Sequence, residues 1–79
     1  MNGKPIMAIT MGEASGIGPE ILAKLFQKEE LFSFCRPLAI GDKRVMQRAV
    51  ALFAKNLNIH VVEDPAEGKY ALGTMDLID

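Results

Sequence analysis

The stretch Gly12-Glu13-Ala14-Ser15-Gly16-Ile17-Gly18-Pro19-Glu20 constrains the fold more than any other part of this 79-residue chain. Before it, Ile6-Met7-Ala8-Ile9-Thr10-Met11 is short, apolar and partly β-branched, as a buried strand is. After it, Ile21-Leu22-Ala23-Lys24-Leu25-Phe26 repeats its large residues at helical spacing. Three glycines within seven residues, Gly12, Gly16 and Gly18, let the backbone turn freely and approach a ligand without a Cβ in between. Pro19 suits the first turn of a helix, where its missing N–H costs nothing. A strand that turns through such a loop into a helix is the opening unit of an α/β protein. Its free N–H groups and the positive end of the helix dipole favour a phosphate or carboxylate there.

The remaining chain repeats the alternation. A first helix is expected over about Gly18 to Lys28, with Ile21/Leu25 and Leu22/Phe26 as i,i+4 pairs on its core stripe. Glu29 and Glu30 read as a solvated face. Leu31-Phe32-Ser33-Phe34 is apolar enough to pack back under that helix before Pro37 stops any helical continuation. Leu38-Ala39-Ile40 then makes a brief strand ended by Gly41-Asp42. Asp42 is placed to cap a second helix, in which Val45, Met46, Ala49, Leu52 and Phe53 recur at helical spacing. A third strand, Ile59 to Glu63, alternates only weakly, as a strand covered on both faces would. Ala66 to Gly73 is turn-like, and Met75 to Asp79 reads as a fourth strand.

The expected fold class is therefore α/β: a mainly parallel, helix-covered sheet, of which residues 1–79 form an amino-terminal βαβαβ segment. Two helices cannot readily cover both faces of three or four parallel strands. The segment is thus expected to be incomplete, or to finish its sheet with a partner. Size points the same way, because a chain this short buries only about 60% of its unfolded surface.

Composition removes several function classes. Nine basic against ten acidic residues give a net charge of −1 and no broad attraction to nucleic acid or anionic lipid. No run approaches the roughly eighteen apolar residues of a membrane span. Pro5 to Met11 is too short for a signal-peptide core, so a cytoplasmic address is expected. The single cysteine, Cys35, reads as a small semi-buried apolar residue rather than half of a disulfide.

Two common phosphate-binding motifs fail on spacing. A dinucleotide fingerprint needs a third glycine where Ile21 stands, and a P-loop needs Gly-Lys-Ser/Thr where Gly18 and Pro19 follow Ile17. What Ile9 to Ile21 does resemble closely is the amino-terminal signature of the 4-hydroxythreonine-4-phosphate dehydrogenase family, Thr-Met-Gly-Asp-Pro-Ala-Gly-Ile-Gly-Pro-Glu. Gly16 to Glu20 also fits the related isocitrate and isopropylmalate dehydrogenases. Leu38 to Asp42 and Gly73 to Asp76 resemble later family segments. Glu13 stands where the family has Asp, and Ala14-Ser15 replaces Pro-Ala, which reads as a paralogue group. Relatives of that kind act on other phosphorylated four-carbon hydroxy acids.

The resemblance implies a metal-dependent enzyme in which NAD or NADP accepts hydride from an alcohol β to a carboxylate, and the resulting keto acid loses CO2. It implies a phosphorylated hydroxy-acid substrate, such as 4-phosphooxy-threonine in pyridoxal phosphate biosynthesis, and a homodimer. In the family, three histidines hold the divalent metal, and lysine, asparagine and arginine residues hold the substrate, all downstream of the signature. No catalytic or metal-binding residue is therefore expected in this segment, and its one histidine, His60, is expected to be structural. By resemblance Gly12, Glu13, Ser15, Gly16, Ile17 and Gly18 border the cofactor cleft. Gly16 and Gly18 would admit the ligand, Ile17 would pack on a ring face and Ser15 could donate a hydrogen bond. Gly-Ile-Gly-Pro could equally serve only as a tight turn. Glu13 could orient the nicotinamide amide or a bound water, or merely favour the helix N-terminus. Two other readings stay open on sequence: a stand-alone module for a nucleotide or small anion, and a truncated, inactive fragment.

Overall fold

The computed structural model describes residues 3–12 and 18–79. In chain order the elements are β1 (Ile6–Thr10), α1 (Pro19–Leu25), α2 (Glu29–Phe34), β2 (Arg36–Ile40), α3 (Lys43–Phe53), β3 (Asn58–Val61), a short 3-10 turn (Pro65–Glu67) and β4 (Thr74–Ile78). The strands form one sheet in the order β1-β2-β4-β3, and every pairing is parallel. The expected α/β class and parallel sheet are therefore present.

Strand order decides which connection lies on which face. From β1 to β2 and from β2 to β3 the chain advances in one direction, and from β3 it steps back to insert β4 between β2 and β3. Crossovers of one hand then place the first two connections on one face and the last on the other. Accordingly α1 packs on α3, and both contribute to a core over Ile9, Ala39, Met75 and Leu77, which neighbour one another across the strands. Leu22, Phe26 and Met46 are fully buried there.

The first helix is shorter than its apolar pattern suggests. Gln27 N donates to Lys24 O and Lys28 N to Leu25 O, closing the helix end with tight turns, and Lys28 is extended (φ −88°, ψ 121°). A new helix then starts at Glu29 and Glu30, whose acidic side chains suit a first turn. Leu31 reaches the core as expected, and Phe32 meets Phe26 edge-on with centroids 6.2 Å apart, whereas Phe34 stays exposed.

Strand β2 begins two residues earlier than expected and contains Pro37. Arg36 N donates to Pro5 O at 2.7 Å, so the next backbone nitrogen, that of Pro37, faces β4. Pairing with β4 starts only at Ala39, so the missing donor interrupts no ladder bond. Strand β3 differs from expectation in another way: it lies at the sheet edge, with Asn58 and Val61 exposed rather than covered on both faces. The covered strands are the two inner ones: Pro37, Leu38 and Ala39 of β2 and Met75, Asp76 and Leu77 of β4 are all buried.

Candidate functional site

The carboxyl ends of β1, β2 and β4 converge on one edge of the sheet, where parallel α/β folds place their ligands. Of the residues expected to contact cofactor, Glu13, Ser15, Gly16 and Ile17 lie outside the described residues, while Gly12 and Gly18 bracket them. A Cβ built on either glycine would meet nothing within 4 Å among the described residues. Gly18 is the N-cap of α1 at φ −90° and ψ 174°, and its carbonyl accepts from Leu22 N at 3.0 Å. Any residue adopts that backbone, so the turn itself does not require glycine at position 18. Space beside the chain is what glycine leaves there.

Behind the loop stands a corner built by close approach. Met11 N donates to Ile40 O at 3.0 Å, carrying the β1–β2 ladder one residue past the strand. A Cβ on Gly41 would come within 3.0 Å of Met11 Cε and 3.2 Å of its Cβ. Gly41 thereby lets Met11 seat against β2 at the start of the glycine loop. The next residue, Asp42, is the cap expected from sequence: its Oδ1 accepts from Arg44 N at 2.8 Å and from Val45 N at 3.2 Å. Asp79 adds a contact that sequence reasoning missed, since its Oδ1 accepts from Lys43 N at 3.0 Å. Only the neighbouring position of β4 brings Asp79 there, and no local pattern encodes it.

Charged side chains elsewhere on the chain are engaged in ordinary ways. Glu20 pairs with Lys24 one turn on, at 2.9 Å on an exposed surface, so its contact is within its own helix. Lys4 Nζ donates to Phe32 O at 2.8 Å. Cys35 is buried, and that burial raises its thiol pKa above the ordinary value, with Lys4 partly opposing the shift. Between α1 and α3 an open groove starts at Gly18 and continues along Ile21, Val45, Leu52 and Phe53, with Arg48 on its wall. Among the described residues no group of three His, Cys, Asp or Glu side chains could hold a metal ion.

The most connected polar group lies instead on the opposite face of the sheet. Asp76 is 1% exposed; its Oδ1 lies 2.8 Å from His60 Nδ1 and accepts from Lys69 N at 3.0 Å, and its Oδ2 accepts from Tyr70 N at 2.7 Å. His60 and Asp76 are register partners on β3 and β4, which gives His60 the structural tie expected of it. Sequence alone did not reveal the pair, because the sixteen-residue separation closes only once β4 lies beside β3. Tyr70 is held at φ +51°, its ring 5.7 Å from the Arg36 guanidinium and its hydroxyl donating to Pro65 O at 2.6 Å. Burial and the nearby Asp76 carboxylate push the phenol pKa up, Asp64 adding to the shift and Arg36 opposing it.

No helix among the described residues is long and apolar enough to cross a membrane, and no family model matches the chain. Known proteins nevertheless match it from end to end. A putative D-threonate 4-phosphate dehydrogenase from Symbiobacterium thermophilum is 53% identical over 79 residues, all of this chain and 24% of that protein. A 4-hydroxythreonine-4-phosphate dehydrogenase from Desulforapulum autotrophicum is 42% identical over 77 residues, 98% of this chain and 23% of that protein. The crystal structure of a 4-hydroxythreonine-4-phosphate dehydrogenase from Burkholderia phymatum superposes with a TM-score of 0.87 at 38% identity, covering 99% of this chain and 24% of that one. The chain thus spans about a quarter of the length of the relatives it matches, and in sequence and fold it belongs to the 4-hydroxythreonine-4-phosphate dehydrogenase family.

Proposed function

We propose that this chain supplies the cofactor-loop segment of an NAD- or NADP-dependent dehydrogenase acting on a phosphorylated four-carbon hydroxy acid of the D-threonate 4-phosphate type. The observation that carries this reading is the 53% identity, over the whole chain, to a relative named for that substrate. The same signature departures, Glu13 for Asp and Ala14-Ser15 for Pro-Ala, favour this substrate over 4-hydroxythreonine 4-phosphate. In such an acid the alcohol at C3 is β to the carboxylate, so its oxidation gives a 3-oxo acid. Breakage of the C1–C2 bond then releases CO2, and the electron pair left on C2 takes up a proton.

When bound, the nicotinamide would accept the C3 hydride. Gly12 and Gly18, beside which a Cβ would meet nothing among the described residues, belong to the proposed contact set with Glu13, Ser15, Gly16 and Ile17. A divalent metal does not fit the described residues, and its ligands belong to the rest of the enzyme, as the acid-base groups do. Cytoplasmic location and homodimeric assembly of the longer protein come with the same family resemblance. A stand-alone anion-binding module is not favoured, since the relatives that match this chain over essentially its whole length are named dehydrogenases of which it spans about a quarter.

The longer protein that carries this segment tests the proposal. It is expected to reduce NAD or NADP in the presence of D-threonate 4-phosphate and a divalent cation, with release of CO2. Gly18→Val, allowed by the backbone at that position, should raise KM for the nicotinamide cofactor by about tenfold or more, roughly one lost contact's worth of binding. No reduction with D-threonate 4-phosphate, or a higher kcat/KM for 4-hydroxythreonine 4-phosphate, overturns the substrate assignment. An unchanged cofactor KM in Gly18→Val removes the loop from the cofactor site.

A further inference from the structure

We infer that residues 64–73 are a strap that opens as one unit from the sheet face carrying Arg36 and Asp76, with the Asp76 carboxylate as its buckle. The segment is tied together internally. Ala66 N donates to Asp64 Oδ1 at 2.8 Å, Glu67 N to Asp64 O at 2.9 Å, Gly68 N to Pro65 O at 3.2 Å and the Tyr70 hydroxyl to Pro65 O at 2.6 Å. The Tyr70 ring lies so close over Gly68 that a Cβ there would fall 2.5 Å from it. These bonds hold Asp64 to Tyr70 as a single piece.

Its attachment to the sheet is narrow by contrast. Lys69 N and Tyr70 N both end on Asp76, and the Arg36 guanidinium stacks at 5.7 Å from the Tyr70 ring. No residue of the strap is buried, so lifting it exposes little apolar side chain of its own, which is the condition for cheap local opening. One end is suited to act as a pivot: Gly73 has φ +93°, a backbone that glycine alone enters freely, and its carbonyl accepts from Asn58 N at the start of β3. Tyr70 at φ +51° is held where a bulky side chain is disfavoured. Release of Lys69 and Tyr70 from the carboxylate lets that residue relax. Opening uncovers Asp76, 1% exposed, and frees Arg36 at the start of β2 from the Tyr70 ring. That surface adjoins β1, whose Ile6, Ala8 and Thr10 are already exposed, so the strap sets how much of this face is free to pack against another element.

Hydrogen exchange followed by mass spectrometry, on the longer protein that carries this chain, tests the strap directly. In the unsubstituted protein, peptides covering residues 65–71 should exchange with one shared opening, faster than peptides of β3 and β4. A spread of unrelated rates, or rates equal to those of β4, overturns the inference. Asp76→Asn removes the charge from the buckle and turns an N–H toward one donor. It should speed exchange across 65–71 by about tenfold or more, the scale of charge-assisted hydrogen bonds lost, while β3 and β4 keep their protection. A change limited to residues 69 and 70, or one that spreads through β3 and β4, defeats the idea of a unit with its own hinge. If Asp76→Asn does not fold, the unsubstituted protein still decides the question.

Discussion

The two faces of this sheet are secured by different physics. On one, α1 and α3 lay Leu22, Ala23, Phe26, Met46, Ala49 and Val50 over Ile9, Ala39, Met75 and Leu77, and non-directional apolar burial does the holding. On the other, a segment without a single buried residue is fixed by two backbone hydrogen bonds to the Asp76 carboxylate, which depend on direction. The first arrangement tolerates small displacements and fails only when volume is lost. The second stays in place while its geometry is met, and can let go locally without dissolving the core. One chain therefore contains a rigid layer and a releasable layer on either side of β4.

Substitutions can separate these two modes. The largest effect is expected from Phe26→Ala, which removes a fully buried ring and its edge contact with Phe32. It should cost about 3–5 kcal/mol, read as a lowered melting temperature, with exchange accelerated in every strand at once. Asp42→Ala strips the cap from α3 and should cost about 1 kcal/mol. Its loss should appear as faster exchange in the first turn of α3 before any change in the strap. The smallest effect on overall stability belongs to Gly68→Ala. The new methyl collides with the Tyr70 ring, which must swing away from Pro65 and Arg36. The melting temperature should stay within the range of a change below about 0.5 kcal/mol, while strap exchange rises. If Gly68→Ala lowers the melting temperature as much as Phe26→Ala, the two faces are not energetically distinct.

Much of the helical face was legible because its signals are local. Val45, Met46, Ala49, Leu52 and Phe53 announced α3, and Asp42 announced its start; the structure supplies the cap where the residue type demands it. The early end of α1 at Leu25 and the separate helix from Glu29 were not legible, since Leu25 to Phe34 carries no glycine or proline to mark them. Tertiary packing of Leu31 and Phe32 sets that break. Pro37 argued for a later strand, but its effect depends on which neighbour its nitrogen faces, and strand order alone determines that. The edge position of β3 and the insertion of β4 are equally non-local. The glycine loop was recognised as a family signature from its residues, and relatives match essentially the whole chain, which spans about a quarter of their length. The Asp76 network was invisible because residues 60 and 76 meet only across a parallel register, and residues 69 and 70 reach Asp76 only through the fold of the turn before β4.

The start of α3 has an electrostatic consequence for this edge of the sheet. A helix that opens next to a glycine corner ordinarily offers unoccupied amides to a phosphoryl group. Here Lys43, Arg44 and Val45 N–H already donate to the carboxylates of Asp79 and Asp42. A doubly charged phosphate ester arriving at this point would meet two resident anions that have claimed the same donors. The doorway of α3 is therefore closed to anions by the chain's own side chains.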